Sequence, residues 1–141
     1  MVSFVKNKIL PYSLTQIYNT VSNVKEYPDF LPWCTDIKIK KKTKKYLITE
    51  VKVGFQNINE SYICKVLLYP KKRILLDYIS GPFEYLEIDW KFKKISKNKT
   101  DVSFFCNFKF KSVFLRLCTS FFLEGAVEKM VDAFEKRLNT N

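Results

Sequence analysis

The stretch Val102-Ser103-Phe104-Phe105-Cys106-Asn107-Phe108-Lys109-Phe110-Lys111-Ser112 is where the sequence changes period. Before Ser112, Val102, Phe104, Cys106, Phe108 and Phe110 alternate with Ser103, Asn107, Lys109 and Lys111, the pattern of a strand with one face on a core and one in water. After it, Val127, Met130, Val131, Phe134 and Leu138 recur at helical spacing, with Glu128, Lys129, Asp132, Glu135 and Lys136 elsewhere. The spacing predicts a long helix over residues 113–138. Its first half, 113–123, is apolar nearly all round, which predicts burial on every side, in the concave face of a curved sheet. Gly125 costs such a helix about 1 kcal/mol relative to alanine, so close packing or a bend is expected there.

Upstream, the strand pattern repeats. Ile37 and Ile39 alternate with Lys38 and Lys40; Leu47, Thr49, Val51, Val53 and Phe55 share a face; so do Tyr62, Cys64, Val66 and Leu68. Residues 73–80 make a short strand, and Leu86, Ile88, Trp90 and Phe92 alternate with Glu87, Asp89, Lys91 and Lys93. Glu87 and Asp89 are therefore expected to point to water. The links at 41–45, 56–57, 70–72, 80–82 and 96–99 are too short for a crossover helix, which excludes a parallel α/β sheet. At the N-terminus, residues 2–8 read as a strand, and Ser13 offers an N-cap to a helix carrying Leu14, Ile17, Tyr18 and Val21.

Between that helix and the sheet lies Tyr27-Pro28-Asp29-Phe30-Leu31-Pro32-Trp33-Cys34. The prolines fix φ at two positions and bias Tyr27 and Leu31 away from the α region, which leaves room for one short helical turn. The aromatics of this stiff connector either plug one end of the core or face a ligand. As a plug, Trp33 is expected to be largely buried, with Tyr27 and Phe30 near one end of the long helix.

Composition bounds the function. With 141 residues and 47% hydrophobic content, the chain reads as one domain over 1–141. No apolar run approaches a membrane span, and the first twelve residues carry no signal-peptide core and no arginine-rich presequence, so a bacterial-type cytoplasmic address is expected. Cys34, Cys64, Cys106 and Cys118 lack metal-clamp spacing, and there is no histidine to complete a metal site or to act as a general base near neutral pH. Metal sites, disulfides and hydrolytic chemistry are thus disfavoured, and no catalytic residue stands out. The net charge is +11 and lysine dominates over arginine, which suits polyanionic partners such as RNA or an anionic membrane surface.

Strand, helix, connector, six strands and long helix compose an α+β helix-grip: a curved antiparallel sheet of about seven strands wrapped around a C-terminal helix, as in START-like domains. The chain resembles the RatA-type ribosome-association toxins and their relatives, the coenzyme Q-binding START-like proteins of the polyketide cyclase superfamily. The resemblance rests on Tyr27–Cys34, on Val53-Gly-Phe55 followed by Glu60-Ser61, on Ser80-Gly-Pro-Phe83, on Leu86-Glu87 and Trp90-Lys-Phe92, and on Phe108–Ser112 through Met130–Phe134. Ile88 stands where members usually carry glycine, and the lysine richness belongs to this chain.

The resemblance implies a non-enzymatic protein that docks on the large ribosomal subunit and hinders its joining to the small one, with an antitoxin as a further candidate partner. Alternatively, it implies a carrier for a polyprenyl quinone (ubiquinone) or other lipid between sheet and helix. Candidate phosphate-gripping residues are Lys38, Lys40, Lys41, Lys42, Lys44 and Lys45, then a second run of Lys91, Lys93, Lys94, Lys97 and Lys99, then Lys109 and Lys111. As solvated outer positions, the same lysines also discourage edge pairing. Candidate cavity or family-motif residues are Tyr27, Pro28, Phe30, Leu31, Pro32, Trp33, Phe83, Trp90, Phe104 and Phe108. Bulky aromatics either line a cleft or fill it, and the sequence leaves both open.

Overall fold

The computed structural model describes residues 2–55, 58–117 and 126–140. Seven strands form one antiparallel sheet: β1 (Val2–Leu10), β2 (Cys34–Lys42), β3 (Tyr46–Phe55), β4 (Ile58–Tyr69), β5 (Arg73–Ser80), β6 (Phe83–Ser96) and β7 (Lys99–Phe110). Their order is β1-β7-β6-β5-β4-β3-β2, so β2 through β7 make an up-and-down meander and β1 closes the far side against β7. The α+β helix-grip is the fold of this chain. The Gln56-Asn57 link lies outside the described residues.

Register places the alternation seen in the sequence on one concave face. Phe104 sits opposite Trp90, Trp90 opposite Ile74, Val66 opposite Leu47, and Cys64 opposite Thr49. Burial follows: Trp90, Phe104, Cys106, Val66, Cys64 and Leu47 are all in the core.

Helix α1 (Leu14–Ser22) starts as its sequence dictates, with the Ser13 hydroxyl accepting from the Gln16 amide at 3.2 Å. It buries Ile17, Tyr18 and Val21. A 3-10 helix, Val24–Asp29, follows with Pro28 inside it. Tyr27 is thus helical despite the proline after it. Tertiary contacts override the local bias: the Tyr27 hydroxyl donates to the Val21 carbonyl and its ring meets Phe134 edge-on at 5.3 Å.

The C-terminal segment is helical at 113–117 and again in α2 (Ala126–Thr140). Residues 118–125, including the expected bend at Gly125, lie outside the described residues. Helix α2 buries Phe134 and Leu138 and is tied to the rest by a Lys8–Glu135 ion pair, by Arg137–Glu26 at 3.0 Å, and by Gln16 donating to the Leu138 carbonyl at 3.3 Å.

Exposure differs from expectation at two places. Val113, Phe114 and Leu117 are 61%, 68% and 70% exposed, and of these five helical residues only Leu115 is buried. This turn lies beyond the end of β7, where the Arg116 guanidinium bonds the Phe110 carbonyl at 2.9 Å; it is not enclosed by the concave face. Asp89 does not point into water either. It is 9% exposed and takes a two-pronged contact from Arg73, with Nε at 2.9 Å and Nη2 at 2.7 Å.

Gly81, in the β5–β6 turn, has φ +146°, a conformation that side chains rarely adopt. A Cβ there would stand 2.6 Å from the Tyr62 Cβ and 2.9 Å from its Cα, so the obstruction includes backbone. Gly81→Ala is expected to destabilise the fold by about 1–3 kcal/mol, measured by urea unfolding with an unchanged m-value.

Candidate functional site: an apolar cavity and a basic rim

Between α2, the proline-aromatic connector and strands β2 to β7 lies a cavity of about 120 Å³. Its walls include Trp90, Phe104, Val51, Ile74, Met130 and Phe134. Of the candidate cavity residues, Tyr27, Leu31, Trp33, Trp90 and Phe104 line it. Phe30 packs behind it, edge-on to Phe134 at 5.1 Å. Pro32 is exposed and Pro28 half-buried, so they shape the connector and do not line the cavity. Trp33 is half-buried, not largely buried as expected, because the turn that carries it faces the cavity on one side only.

Phe83 and Phe108 are buried elsewhere. Phe83 stacks on Phe110 at 4.8 Å and meets Phe108 edge-on at 5.7 Å. These rings pack against one another and leave the space near Trp90 unfilled. The lining residues outside the candidate set include Tyr62, Thr49, Cys64, Met130 and Phe134, although their inward faces were visible in the strand alternation and the helical stripe.

The polar groups here are few. The Thr49 hydroxyl and Cys64 thiol bond each other at 3.1 Å, fully buried. Burial pushes the thiols up, Cys34 and Cys106 to about 12 and Cys64 to about 11. Burial likewise raises the Tyr27 and Tyr62 hydroxyls. A thiol ionising near 11 or 12 carries little thiolate at pH 8, so Cys34, Cys64 and Cys106 are expected to resist iodoacetamide in the folded protein and react only on unfolding, as mapped by peptide mass spectrometry. The folded state holds these protons more tightly than the unfolded chain. The contribution is therefore complete below pH ~8.5 and falls as pH rises toward the folded values.

The second constellation is basic. In an up-and-down meander, β2, β4 and β6 run the same way, so the β2–β3, β4–β5 and β6–β7 turns lie at one end of the sheet. The turns are laced by backbone bonds: Leu68 to the Lys45 carbonyl at 2.8 Å and Phe92 to the Lys72 carbonyl at 2.9 Å. Residues 40–45, 71–73 and 93–99 together hold eleven lysines, one arginine and no carboxylate. All eleven lysines are exposed. The arginine, Arg73, is occupied by Asp89.

Lys40, Lys41, Lys42, Lys44 and Lys45 thus join Lys93, Lys94, Lys97 and Lys99 on one rim, and the structure adds Lys71 and Lys72. Lys40 reaches Glu50 at 3.6 Å, and Lys38 stands opposite Glu50 on the edge strand. Lys91 lies further down β6, opposite Arg73. Lys109 and Lys111 do not belong to this surface. They stand at the opposite end of the sheet, where Lys109 pairs with Glu84 at 3.2 Å and the Lys111 amide bonds the Pro82 carbonyl.

The family model for polyketide cyclase / dehydrase and lipid transport proteins matches residues 10–135. The chain belongs to this family. Among its relatives, the ribosome association toxin RatA of Rickettsia prowazekii is 38% identical over 141 residues, covering 97% of this chain and 96% of that one. The mitochondrial coenzyme Q-binding protein COQ10 homolog B of Xenopus laevis is 30% identical over 140 residues, covering 96% of this chain and 57% of that one. The solution structure of an 18 kDa protein from Caulobacter crescentus superposes with a TM-score of 0.78 at 28% identity, covering 99% of this chain and 97% of that one. The Zhui aromatase/cyclase of a Streptomyces species shares the fold, with a TM-score of 0.83 at 11% identity, covering 98% of this chain and 93% of that one. As a family member of this kind, the chain is a START-like binding protein. No described helix is long and apolar enough to cross a membrane.

Proposed function

We propose that this protein is a non-enzymatic binding protein that docks on the large ribosomal subunit through its basic rim and hinders joining of the small subunit. The observation that carries the reading is the convergence of three lysine-rich turns, without a carboxylate, at one end of the sheet. Lysine presents a point charge without the planar fork of arginine, so such a rim suits phosphates met in any sequence context. The likeness to a ribosome association toxin over nearly its whole length supports it. Non-enzymatic action is supported by the lining of the cavity: no carboxylate stands among its described residues, and its thiols and phenols are held protonated. Co-sedimentation of the purified protein with isolated large subunits at low salt tests the proposal. Association with large but not small subunits is expected, and its absence at low salt overturns the reading.

The cavity supports a second activity, carriage of an apolar molecule such as a quinone or other lipid. It is enclosed chiefly by aliphatic and aromatic side chains, as ligand sites are. Mass spectrometry of a solvent extract of the purified protein is expected to show a retained lipid or quinone.

A further inference from the structure

The cavity is not uniformly apolar: among its described lining residues, Tyr27, Thr49 and Tyr62 carry hydroxyls. The Tyr27 hydroxyl donates to the Val21 carbonyl. Thr49 and Cys64 bond each other. Tyr62 remains. Its side chain is half-buried, it lines the cavity, and its hydroxyl makes no hydrogen bond among the described residues. A phenol facing an apolar cavity is a donor that gains by meeting an acceptor there.

The Tyr62 side chain is held in place. It leaves β4 toward the concave face beside Cys64, opposite Val51. Phe83 meets its ring edge-on at 5.6 Å. Gly81 backs its Cα and Cβ so closely that the turn has no room for a side chain. The donor is therefore pre-positioned, which lowers the ordering cost of binding.

The space beside it sets the size of the ligand. An engineered apolar cavity of about 150 Å³ accepts benzene. At about 120 Å³, this one suits a single ring or its equivalent. Charge is set by the walls as well. Among the described lining residues none carries a charge at neutral pH, so a carboxylate ligand would be buried without a counterion.

We propose that the Tyr62 hydroxyl is the hydrogen-bond donor for the ring-sized head of a neutral, apolar ligand bearing an oxygen acceptor, a carbonyl above all. The proposal rests on the cavity reading above and is independent of the basic rim.

Acetophenone and ethylbenzene are suitable probes. They differ by a carbonyl in place of a methylene and carry no group that attacks thiols. Binding is followed by methyl shifts of Ile37, Val51, Val66 and Ile74 on titration. Wild-type protein should bind both, and benzoate should shift none of these methyls. Tyr62→Phe should weaken acetophenone about five- to tenfold and leave ethylbenzene within about twofold, the size of one neutral hydrogen bond.

If ethylbenzene binds but Tyr62→Phe spares acetophenone, the donor role is overturned while the cavity reading stands. If neither probe binds, both fall. If benzoate binds as well as acetophenone, the neutral-ligand assignment is overturned. The ζ-carbon resonance of Tyr62 in wild-type protein gives a reading that needs no variant: it should move with acetophenone and stay with ethylbenzene, and the reverse pattern overturns the assignment.

Discussion

Replacing Lys42, Lys44, Lys71 and Lys97 together by Gln is expected to weaken binding to isolated large subunits by roughly three orders of magnitude at 0.1 M salt. Each neutralised phosphate contributes about 0.7–0.9 to the slope of log affinity against log salt. Four lost contacts therefore flatten that slope by about three and remove a comparable number of decades at 0.1 M. All four side chains are exposed and stand in or beside turns, so the thermal transition should stay within about a degree or two of wild type. The control is Lys109 and Lys111 changed to Gln. These residues lie at the other end of the sheet and should leave both affinity and slope nearly unchanged. Equal effects from the two sets would mean that net charge alone is sensed, and the rim would lose its special place.

The rim also shows what the sequence could and could not disclose. The meander was legible because each strand buries one face, which writes a period of two into Tyr62-Cys64-Val66-Leu68 or Leu86-Ile88-Trp90-Phe92. With five short links in succession, the alternation of turns between two ends follows from topology. Lys71 and Lys72 gained significance only when that topology placed them between two longer lysine runs. Lys109 and Lys111, similar in composition, went to the wrong end for the same reason.

Other misreadings have one source: periodicity assigns a face, but neighbours decide exposure. Asp89 occupies an outward position, yet Arg73 reaches over from the next strand and covers it. Val113, Phe114 and Leu117 are as apolar as a core helix, yet their turn stands past the end of β7. The cavity was the least legible feature. Whether Phe83, Phe108 and Phe110 fill it depends on rotamers, and they turn toward one another, leaving the volume near Trp90 and Tyr62. The connector sets the rings of Tyr27 and Phe30 on Phe134, near the long helix as expected, while Tyr27, Leu31 and Trp33 also line the cavity.

Phe134 is the residue on which helix, connector and sheet converge, so Phe134→Ala is expected to be the most damaging single truncation. The side chain is 5% exposed and makes edge-on contacts with Tyr27 at 5.3 Å, Phe30 at 5.1 Å and Trp90 at 5.2 Å. Removing a buried Phe ring costs about 3–5 kcal/mol, with the upper end reached where the surroundings cannot collapse. Collapse is hindered here. The connector is stiffened by Pro28 and Pro32, and Trp90 is fixed in a sheet paired on both sides. The space freed would enlarge the existing cavity, since Phe134 forms part of its wall. An apolar filler should therefore recover some of the loss by mass action: saturating ethylbenzene is expected to raise the transition of Phe134→Ala more than that of wild type. A loss below about 1 kcal/mol would mean that the helix repacks freely on the sheet, and no rescue by ethylbenzene would mean that the freed space closes.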